Sequence, residues 1–279
     1  MEKVKAEVNS NNSTDRISEL PEDILQRILY FVSQDDAVRT SVLSKSWRNI
    51  WCTRPNLDFS DNTFKGNNQQ FLSVVDTTLQ RYCDQRLRVE EFHLRIFLRE
   101  MDHEFVSLLE KWIRAPTVTG MKKLRFSNGS GHFLGSVDLP SVVFEVESLQ
   151  DLHVESFVLG RETIERIVVF KHLRSLCLEQ VRIKDDVFET IISNCPSIET
   201  LVVNQCKRLK KIKVNHLHNL KKFSFSKRRV DCSIEIHPPS LVTVNISDNI
   251  WLHDGGGYFR NLNSLRLWRV KSSLEHLSS

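Results

Sequence analysis

The sequence predicts an α/β protein in two parts: a small all-helical module at the amino terminus, then a repeat solenoid with a curved parallel β-sheet and helices or irregular segments on its convex side. Three observations carry that expectation. An apolar helical hairpin runs from Arg16 to Trp51. A short apolar triplet returns eight times after Leu87. The 279 residues are 40% hydrophobic and 27% charged, the balance of an ordinary soluble chain long enough for one extended domain or two compact ones. No stretch approaches 18 consecutive apolar residues, which excludes a spanning helix and a membrane partner.

Residues 1–15 mix both charges with Asn and Ser around no apolar core, so they read as a disordered lead-in rather than a signal peptide. Pro21, with φ already near the helical value, opens the first helix, and Glu22 and Asp23 suit its positive end. Ile24, Leu25, Ile28, Leu29 and Val32 follow at helical spacing. Asp35 is placed to cap a second helix carrying Ala37, Val38, Val42, Leu43, Trp47 and Trp51. A hairpin this short seldom folds alone, and its apolar positions exceed one stripe, so Leu20, Pro21, Ile24 and Ile28 remain for another chain. Trp47 and Trp51, four apart, favour packing over a binding hot spot.

The start Leu20-Pro21-Glu22-Asp23-Ile24-Leu25, the continuation Ile28-Leu29, the segment Ser41 to Lys45 and the ending Trp47-Arg48 together resemble the F-box, assigned here to residues 16–55. The resemblance implies docking on a Skp-type adaptor, and through it on cullin and RING subunits of a ubiquitin ligase. The implied adaptor-binding residues are Leu20, Pro21, Ile24, Leu25, Ile28, Leu29, Val42, Leu43 and Trp47.

Residues 56–85 read as a linker and a helix, Phe71, Val74, Val75, Leu79 and Tyr82, that seals the amino-terminal end of the stack. Residues 86–279 hold about eight repeats of the triplet Φ-x-x-Φ-x-Φ, starting at Val89, Met121, Leu149, Leu173, Ile198, Leu220, Leu241 and Leu262. The starts lie 32, 28, 24, 25, 22, 21 and 21 residues apart, a drifting period that indicates leucine-rich repeats. The last two apolar positions of each triplet are two apart, as one face of a strand requires. Helices on the back are expected at Phe105 to Trp112, Thr163 to Phe170 and Asp186 to Asn194. The final repeats are too short for helices, so their backs should be extended or single turns.

LEKWIRAP, LPSVVFEVESLQDLHV and CPSIETLVVNQC resemble the plant F-box proteins with leucine-rich repeats. Longer relatives in that family continue into more repeats and a further domain, whereas this sequence stops nine residues past Val270. It is therefore expected to be a short member lacking that domain, either capping its last layer with SSLEHL or truncated.

Residues between the buried strand positions should face the concave recognition surface: Arg125, His153, Glu155, Glu179, Asn204, Lys222, Ser224, Asn245, Arg266 and Trp268. That polar row suits a protein client better than an apolar ligand. Arg266 and Trp268 are hot-spot types, yet an edge Trp also serves to cover a last layer. Between Lys207 and Arg229 lie ten basic residues and no acid, against a net charge of +4. Lys207, Arg208, Lys210, Lys211, Lys213, Lys221, Lys227, Arg228 and Arg229, with Lys222, form either a solvated face or a site for an acidic client, a phosphorylated degron or a phosphate-rich molecule. No nucleic-acid-binding motif accompanies them.

Cys52, Cys83, Cys177, Cys195, Cys206 and Cys232 are scattered, with no CxxC pair and no zinc-ligand spacing, so reduced thiols, no metal, and cytoplasm or nucleus are expected. No phosphate loop, GxGxxG, GxSxG or HExxH occurs, so no catalytic residue and no cofactor is expected. The sequence thus points to a non-catalytic substrate-recognition subunit of an SCF-type ligase; the alternative is a non-degradative interaction scaffold or decoy. The client, any need for a phosphate mark and the oligomeric state are not written in it.

Overall fold

A computed structural model describes residues 20–32, 36, 39, 45–60, 68–97, 103–115, 120–129, 137–164, 170–214, 216–227, 232–236, 240–253 and 264–272. The chain forms two compact units, Met1–Arg54 and Pro55–Ser279.

In the first unit Pro21 (φ −53°) precedes helix α1, Glu22–Phe31, and its carbonyl accepts the N–H groups of Ile24 and Leu25 at 3.0 and 3.1 Å. Helix α2 spans Lys45–Thr53. Leu25 and Leu29 from α1 meet Trp47 and Ile50 from α2 in a small core, with Val32 and Trp51 packed against it. The Arg54 guanidinium lies 5.7 Å from the Trp51 ring centre. Asp35, Ala37, Val38, Val42 and Leu43 lie outside the described residues.

The second unit is a stack of parallel strands. Strand β1 is Asn56–Ser60, helix α3 Asn68–Asp84, β2 Glu91–Ile96, helix α4 His103–Ile113 and β3 Lys123–Asn128. A 3-10 turn at Ser141–Glu145 leads to β4, Asp151–Glu155, then β5, Val158–Leu159, and the short helix α5, Arg161–Ile164. Next come β6, Ser175–Glu179, β7, Arg182–Ile183, helix α6, Asp185–Ser193, and β8, Thr200–Asn204. The chain continues through β9 (Lys211–Lys213), β10 (Lys222–Ser226), β11 (Cys232–Glu235), β12 (Thr243–His253) and β13 (Ser264–Ser272).

The main ladder runs β1-β2-β3-β4-β6-β8-β10-β12, with β13 beside β12, and every pairing is parallel. Because the register never slips up to β10, residues one repeat apart stand side by side. Leu124, Leu152, Leu176, Leu201 and Phe223 form one buried column, and Leu94, Phe126, Val154, Leu178, Val203 and Phe225 a second. These are the apolar positions of the triplet, buried because alternate strand residues share a face.

Three strands end in the same device. Ser156, Gln180 and Gln205 adopt φ of 62°, 53° and 54°. Their N–H groups donate to the carbonyls of Glu179, Asn204 and Ser226 on the next strand at 2.9, 2.7 and 2.6 Å. A left-handed residue costs about 1–2 kcal/mol unless it is Gly. Here it turns the chain off the sheet so that Phe157, Val181 and Cys206 enter the core.

Helices back the larger repeats: Phe105, Leu109 and Trp112 of α4, and Val187, Phe188, Ile191 and Ile192 of α6, are buried. The expected helix at Thr163–Phe170 is described only as Arg161–Ile164; residues 165–169 are outside the described set. The short repeats instead use extended backs, β9 and β11, which pair with each other, and β11 pairs in turn with the end of β12. Of the helix at 71–82, Phe71, Val75, Leu79 and Tyr82 are buried, but Val74 is 45% exposed. The expected linker at 56–85 also holds β1, an edge strand in register with β2. Its alternating Leu57 and Phe59 were a signal too short to stand without the repeat around it.

Candidate functional site

Two surfaces offer themselves for interaction, one in each unit. On α1 the helical period divides the apolar residues. Leu25 and Leu29 are 1% and 0% exposed, whereas Leu20, Ile24 and Ile28 are 37%, 41% and 36% exposed, with Pro21 beside them. Phe31, at the end of the helix, is 76% exposed. This apolar row has no cover among the described residues. Of the expected adaptor-binding residues, Leu25, Leu29 and Trp47 are buried in the hairpin core. Val42 and Leu43 lie outside the described residues.

On the second unit the side of the sheet opposite the core is polar. Its central column runs Asp58, His93, Arg125, His153, Cys177, Val202, Ser224, Asn245, in register. Arg125 and Lys222 are exposed, while His153, Glu155, Glu179, Asn204, Ser224 and Asn245 are half-buried. Arg266 and Trp268 pair in register with Asn245 and Ser247; their side chains are outside the described set.

The charges on this side are arranged across strands. His93 Nδ1 is 3.0 Å from Asp58 Oδ1, and Lys123 Nζ is 2.6 Å from Glu91 Oε1. His153 Nε2 is 3.6 Å from Glu179 Oε2, and Asn204 Nδ2 donates to Glu179 Oε1 at 3.2 Å. The Cys177 Sγ lies 3.7 Å from that same oxygen. Burial raises the Asp151 carboxyl above its ordinary value against the pull of Lys123, Arg125 and His153. Burial, reinforced by Arg125, lowers the His153 pKa below its ordinary value. Burial and the Glu179 charge push the Cys177 thiol up to about 12, which keeps it protonated and unreactive as a nucleophile.

A cavity of about 340 Å³ opens on this face, lined by residues of β1 to β4 that include Asp58, His93, Lys123, Arg125, Asp151 and His153. Sequence reasoning placed Arg125 and His153, with His93 and Asp151, on this face but missed Asp58. The alternation of Leu57 and Phe59 about Asp58 was the signal that could have found it.

The basic run does not form one surface. Lys222 stands on β10 in the main ladder, whereas Lys211 and Lys213 stand on β9, three strands away in sheet order. Lys221 is paired with Glu199 at 2.7 Å, and the charge-assisted hydrogen bond from Lys221 holds the Glu199 carboxyl below its ordinary value. Lys227 is 4% exposed and donates to the Leu209 carbonyl, so it is a buried strut and not a patch residue. Lys207, Arg208, Lys210 and Lys211 are exposed; Arg228 and Arg229 are outside the described residues.

Comparison with known proteins places these surfaces in context. The F-box domain matches residues 17–59. A family described as FBD-associated F-box protein At5g56370, LRR repeats, matches residues 109–260. The F-box/LRR-repeat protein At3g26922 of Arabidopsis thaliana is 32% identical over 190 residues, covering 68% of this chain and 59% of the relative. The putative F-box protein At1g67390 of the same plant is 31% identical over 199 residues, 68% of this chain and 40% of the relative. F-box/FBD/LRR-repeat protein At2g26030 is 28% identical over 246 residues, 84% of this chain and 54% of the relative. The chain thus spans between about two fifths and three fifths of the length of these curated relatives.

Proposed function

We propose that this chain, which belongs to the F-box proteins with FBD-associated leucine-rich repeats, acts as the substrate-recognition subunit of a cullin–RING ubiquitin ligase. In this reading the helical hairpin docks on a Skp-type adaptor and the open face of the repeat sheet holds the client. The subunit performs no chemistry; it accelerates ubiquitin transfer by keeping a client lysine close to the charged enzyme. The observation that carries the reading is the exposed row Leu20, Ile24 and Ile28, set against the buried Leu25 and Leu29 of the same helix. Burial of such a row against a partner contributes about 25 cal/mol per Å² of apolar surface, and two aspartates within it oppose that burial directly.

The open face supports client binding through its mixed, half-buried polar groups, beside which Arg125 and Lys222 stay exposed. A polar, partly preorganised strip of this kind fits a protein segment better than a greasy small molecule. We infer the cytoplasm or nucleus as its site of action, since free cysteines persist where disulfides are kept reduced.

The test uses the intact chain and an Ile24→Asp, Ile28→Asp double variant, each incubated with purified Skp-type adaptor and also recovered from proteasome-inhibited plant cells. Adaptor and cullin should be recovered with the unaltered chain and lost from the variant, while client proteins appear with both. Equal adaptor recovery from the two chains would sink the assignment of this row. Clients that bind but keep an unchanged half-life when the chain is overproduced would sink the degradative role.

A further inference from the structure

His153, Cys177 and Glu179 meet on the open face although the first two are separated by a whole repeat. The register of β4 against β6 does it: His153 pairs with Cys177, and Glu155 with Glu179. One ligand-type atom from each of the three lies within 4.8 Å of the other two. His153 Nε2 lies 3.6 Å from Glu179 Oε2, and Cys177 Sγ lies 3.7 Å from the other carboxylate oxygen, Oε1. Bonds of about 2.0–2.3 Å at tetrahedral angles place zinc ligands roughly 3.4–3.6 Å apart, so one atom from each residue, now within 4.8 Å of the others, closes on its neighbours when the three share an ion.

Two further features point to a cation. His153 Nε2 is buried and makes no hydrogen bond among the described residues, an arrangement that a folded protein tolerates only at a cost. Glu179 is oriented from behind by Asn204 Nδ2 at 3.2 Å, the kind of outer partner that fixes a ligating carboxylate. Arg125 faces His153 and opposes a positive ion, while Asp151, Glu155 and Glu179 face it with the opposite sign.

We propose that His153, Cys177 and Glu179 form a three-ligand site for one Zn²⁺ ion on the open face of the sheet. Imidazole, thiolate and carboxylate together select a borderline-soft divalent ion over Mg²⁺ or Ca²⁺. On binding, the Cys177 thiol proton passes to solvent, a sulfur–zinc bond forms and no electron is transferred. The fourth position is left to water or to a donor atom of a bound client. Among the described residues no other group of this kind occurs. The site stands independently of adaptor docking.

The full chain, stripped with chelator and kept reduced, is titrated with Co²⁺ and then with Zn²⁺. One Co²⁺ per chain should bind with a near-ultraviolet thiolate-to-cobalt band that Zn²⁺ abolishes. Cys177→Ser should lose the band, and His153→Gln and Glu179→Gln should each weaken Zn²⁺ binding by more than about tenfold, with Asn204→Ala costing about tenfold. Circular dichroism of the metal-free variants checks their fold; if Cys177→Ser does not fold, the half-buried His153→Gln decides. Substoichiometric binding, a band that survives in Cys177→Ser, or affinities unchanged in both His153→Gln and Glu179→Gln would overturn the site.

Discussion

Lys227 and Asp76 show how one residue's role depends on what surrounds it. Both are charged, but Lys227 is buried beneath the sheet and satisfies the Leu209 carbonyl, whereas the nearby Lys210 side chain is exposed. Lys227→Met leaves that carbonyl without a donor and should lower stability by about 1–3 kcal/mol in urea unfolding, against about 0.5 kcal/mol or less for Lys210→Ala. Equal effects would return Lys227 to the surface. Asp76 on α3 accepts from Lys111 Nζ at 2.7 Å and from Trp112 Nε1 at 2.8 Å on α4. Burial acts to raise its carboxyl, but the two hydrogen bonds and the Lys111 charge outweigh it, and the net shift is downward from 3.8. A carboxylate with a depressed folded pKa stabilises above its unfolded value and loses that contribution as pH falls through the folded one. Asp76→Asn should therefore narrow the stability difference between neutral pH and about pH 3, and a pH profile parallel to that of the unaltered chain would refute the coupling.

Helices and strands are joined by a few polar clamps whose removal should loosen one element at a time. Asp185, in the first turn of α6, accepts the backbone N–H groups of Lys210 and Lys211 at 2.7 and 3.1 Å. It thereby ties α6 to the start of β9, a strand of three residues whose ladder partner is β11. Asp185→Ala removes two charge-assisted bonds and should cost about 1.5–3 kcal/mol, with faster amide exchange at Lys210 and Lys211 than in β6 or β8. Uniform acceleration along the sheet would show instead that the clamp stabilises the whole stack. The left-handed residues Ser156, Gln180 and Gln205 are a second element-scale device, since each donates to the neighbouring strand as it turns the chain inward.

Across the whole molecule, stability in the second unit comes from neighbouring repeats covering one another's apolar columns. Leu176 is fully buried at the middle of the main ladder, flanked by Leu152 and Leu201. Leu176→Ala should lower the unfolding free energy of that unit by about 2–5 kcal/mol, measured by urea titration, whereas Ile24→Asp on the exposed row of α1 should change stability by no more than about 0.5 kcal/mol. A large loss with Ile24→Asp would mean that the row packs inward after all. The sequence was enough for the repeat strands, because period-2 burial and a recurring triplet are local signals that every repeat restates. It was enough for the hairpin too, since the spacing of Ile24, Leu25, Ile28 and Leu29 requires two apolar sides on one helix. Which of those sides closes the core, and which stays open beside Leu20, was settled by the position of Trp47 and Ile50 on α2. In the same way, the basic run was contiguous in sequence but scattered in space, because successive strands of a repeat carry neighbouring residues to different ladders. The meeting of His153 with Cys177 and Glu179 lay beyond any local pattern. Only parallel register, fixed by the packing of one repeat on the next, brings residues 24 positions apart side by side on the open face.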